Sequence, residues 1–122
     1  MPRLISIALV LLLACTVAHA EFLSGRGLLD ALDASGRSER DQAAGYIAGV
    51  VDTSTEDLDD HERSKFCFVL PETITLAETI EIVHKFLRRE ARGADHANLD
   101  TLHASGLVRV ALAAKHGCSR ST

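Results

Sequence analysis

Three features of the chain point to an all-α fold. Aromatic residues make up only 4% of the sequence and β-branched runs are short, so sheet-forming material is scarce. Leu76, Ile80, Val83 and Leu87 recur at helical spacing directly after a Thr75-x-x-Glu78 start signal. The apolar content elsewhere falls into similar short stripes, which a domain of this size can bury only against one another. The expectation is a compact four-helix domain with one disulfide, preceded by a cleaved signal peptide.

Pro2-Arg3 gives a positive start, Leu4 to Ala14 is unbroken apolar sequence, and Ala18-His19-Ala20 is a small-x-small cleavage triplet. The apolar run is shorter than the roughly 20 residues of a spanning helix, so export rather than anchoring is expected. "LLAC" at Cys15 resembles a lipoprotein box, but Leu13 fits that box poorly and the Ala18-His19-Ala20 triplet follows at once. The domain division is therefore 1–20 as signal peptide and 21–122 as one exported helical domain. Removing 20 residues from 122 leaves 102, enough for a single core.

Cleavage also removes Arg3, leaving 12 Lys+Arg against 17 Asp+Glu and a net charge of −5. An acidic surface disfavours nucleic acid and anionic lipid as partners. Two cysteines remain, Cys67 and Cys118, an even number in an exported chain, and they are expected to pair. The alternative is two free buried thiols. For a closed loop of about 50 residues, chain entropy assigns such a bridge about 4 kcal/mol.

The first helix starts with Ser24 as N-cap and carries Leu28, Leu29 and Leu32 on a narrow apolar face before "DASGRS" ends it. The second begins near Ser38, with Glu39 and Asp41 complementing the helix dipole, and continues through Ala43, Ala44, Ile47, Val50 and Val51. It contains "GYIAGVVD", with Gly45 and Gly49 four apart, each costing about 1 kcal/mol relative to alanine in a helix. Two readings are open. The pair clears one face for close approach of another helix, with Tyr46 beside it, or it is a tolerated pair in a marginal helix.

A charged loop runs from Thr53 to Lys65, followed by the extended "FCFVLPE", in which Pro71 holds Leu70 out of the helical region. The third helix then runs from the capping box of Thr75 and Glu78, with Ile82 and Phe86 widening its stripe, to Gly93 as C-cap. The fourth is expected over Asn98 to His116, with Leu99, Leu102, Leu107, Val110, Ala111 and Ala114 facing inward and Gly117 stopping it.

In this order, the Gly45-Tyr46-x-x-Gly49-x-x-Asp52 helix, the Cys67 to Pro71 segment leading into a helix with Leu87, and the terminal Ala111-Leu112 helix ending at Cys118 resemble the Rap/Tai family of immunity proteins. Bacteria use that family against type VI secretion amidase toxins. The resemblance spans most of the mature chain. It departs from the family pattern in the three residues between Cys67 and Pro71, in His116-Gly117-Cys118 where Phe-Pro-Cys is usual, in Glu78 where glutamine is frequent, and in lacking extra cysteines. What it implies is a small helical periplasmic protein, a dimer, which binds a peptidoglycan-cleaving amidase and blocks its active-site groove without catalysis of its own or any cofactor. The matching residues, Gly45, Tyr46, Gly49, Asp52, Pro71, Ala111 and Leu112 among them, are architectural.

Partner contact is instead expected from the acidic loop. Glu56, Asp57, Asp59, Asp60 and Glu62 are placed to steer a basic surface, with Leu58 as apolar anchor; the plainer reading is a solvated connection. Catalysis is not expected, because Cys118, beside His116, is claimed by the disulfide. Nor is a metal, since His96 and His103 are separated by a helix start and no metal-ligand motif occurs. A second functional class is a helper of envelope stress, for which five histidines in the mature chain would provide pH response.

Overall fold

The computed structural model describes residues 24–54, 66–94, 96 and 98–118. The leader, the cleavage triplet, Cys15 and the acidic candidates Glu56, Asp57, Leu58, Asp59, Asp60 and Glu62 lie outside the described residues. The described residues are mostly helical and form five helices in order: α1 (Gly25–Asp33), α2 (Arg37–Thr53), α3 (Leu76–Arg92), α4 (Asn98–Thr101) and α5 (Ala104–His116). Among the described residues no strand forms, and the only extended pairings are isolated bridges, Ser24 with His103 and Phe68 with Gly117.

The short α1 is the hub of the fold, touching all four other helices. Ser24 caps it, its hydroxyl accepting from the Gly27 N–H at 3.2 Å, and Leu28, Leu29, Ala31 and Leu32 are all buried. Its apolar face is therefore broader in use than the sequence suggests. Gly25 owes its identity to this packing, because a Cβ there would collide with Leu107 and crowd Leu99.

The expected fourth helix is two. The Leu102 carbonyl accepts from the Gly25 N–H at 3.2 Å, and His103 pairs with Ser24 and leads into α5, so contacts with α1 interrupt what local pattern would continue. The break resets the helical phase. α5 buries Ala104, Leu107, Val108, Ala111 and Leu112, at intervals of three and four, while Leu102 (47%), Val110 (36%) and Ala114, expected inside, are exposed.

α3 follows its sequence signals closely. Thr75 N–H donates to Glu78 Oε2 at 2.7 Å and Glu78 N–H donates to Thr75 Oγ1 at 3.1 Å, the reciprocal capping box. Val83 and Leu87 are fully buried, whereas Leu76, on the first turn, stays 49% exposed. Gly93 ends the helix in an extended conformation, and Arg89 and Arg92 sit in the last turn, where positive charge suits the dipole.

In α2, among the described residues, no other helix of this chain approaches the glycine pair. Ala43, Ile47 and Val50 face the core, so Gly45 and Gly49 fall on the opposite, exposed side, and a Cβ at either would meet nothing within 4 Å. Tyr46 is half-buried against the core, while Asp52 is exposed. The helix starts at Arg37, one residue before Ser38, with Gly36 as N-cap and no side-chain cap.

Candidate functional site

The segment before α3 and the end of α5 are clasped together. Cys67 and Cys118 form the expected disulfide, with Cα atoms 5.4 Å apart across a sequence separation of 51. Around it Val69 N–H donates to the His116 carbonyl at 2.9 Å, and Cys118 N–H donates to the Cys67 carbonyl at 3.1 Å. Phe68 is driven into the core while its neighbour Val69 is left 70% exposed, the alternation of an extended segment. Gly117 lets the chain turn out of α5, since a Cβ there would lie 2.5 Å from the Ala113 carbonyl oxygen.

Beside this clasp, a groove of about 670 Å³ runs between α3 and α5. Pro71, Thr73 and Ile74 close one end, and α3 lines it with Glu78, Glu81, Ile82, Lys85, Phe86 and Arg89, a single helical stripe. The opposing wall is Ala111, Ala114, Lys115 and His116. Two alanines facing a stripe that holds Ile82 and Phe86 leave the space open.

Its carboxylates are already engaged. Glu78 is held below the ordinary carboxylate range by the Thr75 backbone N–H and hydroxyl, and Glu81 by the hydrogen bond and charge of Lys85, 2.9 Å away, with a smaller effect from Lys115. Arg89 lies over the Phe86 ring, 5.6 Å from its centroid.

The structure brings some of the motif residues to this place and scatters others. Pro71 and Ala111 line the groove, Leu112 turns from it into the core, and Gly45, Gly49 and Asp52 lie on the exposed side of α2. The basic residues of the groove carry no motif and were not singled out from sequence; the stripe of α3 was, but as core. His84 contacts Asp33 at 2.6 Å. Among the described residues no group of three or more His, Cys, Asp or Glu is placed to hold a metal ion. The sulfur of Cys118 is spent in the disulfide, which removes the one thiol nucleophile considered.

The family model of the Rap1a immunity proteins matches residues 11–118, nearly the whole chain, and the protein belongs to that family. It is thus an immunity protein whose partner is a protein toxin. No curated protein and no solved structure matches it significantly.

Proposed function

We propose that the protein acts in the periplasm as a homodimer and neutralises a type VI secretion amidase that cleaves peptidoglycan, binding the toxin and covering its active-site groove. Membership of the immunity family over residues 11–118 carries this reading. The disulfide supports the compartment, because such bridges persist where thiols are not kept reduced. A rigid helical body suits inhibition by obstruction, which needs surface complementarity and no reactive group.

In this reading the acidic run from Glu56 to Glu62 accelerates encounter with a basic toxin surface, since charge complementarity acts chiefly on association rate. The test mixes the mature protein with amidase effectors of type VI secretion systems and follows peptidoglycan hydrolysis. Complete inhibition at a stoichiometric ratio is expected, with the dimer mass given by light scattering. Undiminished hydrolysis at molar excess would overturn the reading.

A further inference from the structure

We propose that the groove between α3 and α5 seats an acidic peptide segment of the partner, anchored by an apolar side chain between Ile82 and Phe86. The inference rests on the partner being a protein toxin and names the surface that receives it.

Charge is the first argument. The protein is acidic overall, at −4 for the full sequence, yet the groove lining holds Lys85, Arg89 and Lys115 against two carboxylates, Glu78 and Glu81. Glu78 keeps its charge while capping α3, and Glu81 pairs with Lys85 and feels Lys115 more weakly, whereas neither Arg89 nor Lys115 forms an ion pair among the described residues. Both side chains are exposed, and they stand on the two opposing walls. Carboxylates on an incoming segment would find one cation on each side.

Shape is the second. The groove volume falls within the range of about 300–1,000 Å³ usual for binding clefts. From Glu78 to Arg89 the α3 wall is about 16 Å long at 1.5 Å per residue, room for about five extended residues or three helical turns. Ile82 and Phe86 are half-buried, the state of apolar groups that a partner can still cover. Val69, 70% exposed and bonded through its N–H to His116, extends the apolar surface past the end of the groove.

The experiment uses two labelled sixteen-residue peptides with the same leucine and phenylalanine positions, one with glutamate and one with lysine at the remaining sites. The mature, disulfide-bonded protein should bind the glutamate peptide at least tenfold more tightly, with amide shift changes confined to α3, α5 and Val69. Ala114→Trp fills the groove from an exposed position, and Arg89→Glu with Lys115→Glu reverses its charge; each should lower that affinity at least tenfold while leaving the melting temperature unchanged. Equal binding of both peptides, binding of neither, or shifts mapping elsewhere would overturn the proposal. The same variants are then assayed against the amidase. Full inhibition by every groove variant would sink the groove and leave the immunity reading standing; peptide binding by a wild-type protein that fails to inhibit would do the reverse.

Discussion

Asp33, the last residue of α1, holds His84 of α3 at 2.6 Å through Oδ1. The same oxygen accepts from Arg88 Nη2 at 2.8 Å. Partial burial acts to raise the Asp33 pKa, but the hydrogen bonds from Arg88 and His84 outweigh it, and the carboxyl titrates below its ordinary value. A folded-state pKa lower than the unfolded one contributes stability that is present above the unfolded pKa of about 3.9 and is lost as pH falls through the folded value. Asp33→Asn should therefore weaken the protein at neutral pH, by under about 1 kcal/mol once the 42% exposure of the carboxylate is allowed for. Urea titrations of both proteins at several pH values should show the difference vanishing in acid.

Removing the covalent clasp is expected to have the largest effect. Cys67→Ala with Cys118→Ala should cost about 2–5 kcal/mol, and a reductant should lower the melting temperature of the wild type toward that of the double variant. Equal melting with and without reductant would contradict it.

Glycine substitutions should split by position. Gly45→Ala and Gly49→Ala meet open space and each should stabilise the folded protein by up to about 1 kcal/mol. Gly25→Ala meets Leu107 and Leu99 and should destabilise by about 1–3 kcal/mol. Thermal melts of the three variants check the sign directly. Stabilised Gly45 and Gly49 variants that lose toxin inhibition would locate a partner or subunit contact on that face of α2.

Thr75→Ala should cost about 1 kcal/mol by removing the side-chain half of the capping box. Hydrogen exchange should quicken first at the amides of Glu78 and its neighbours, at the start of α3, with the core amides of Val83 and Leu87 changing only through global stability.

What could be read in the residues was what short-range chemistry decides. Ser24, the Thr75–Glu78 box and the Val83–Leu87 stripe each depend on neighbours within one or two turns, and each stands where the pattern placed it. The break before His103 depends on α1, some eighty positions earlier, whose Gly25 N–H engages the Leu102 carbonyl; nothing near Leu102 announces it. The orientation of Gly45 and Gly49 failed for a different reason. Their spacing fixes that they share a face, but Ala43, Ile47 and Val50 decide which face is buried. The groove stayed hidden because it arises between helices, where Ala111 and Ala114 oppose Ile82 and Phe86.

Because the Cys67–Cys118 bridge closes α3, α4 and α5 into a covalent ring, the protein responds unevenly to mechanical load. A pull applied outside the ring can unravel α1 and α2, but about 170 Å of contour, 51 residues at about 3.4 Å each, remains locked until the sulfur bond is cut. Both walls of the groove lie inside that ring and would stay tethered to each other after α1 and α2 had been drawn out.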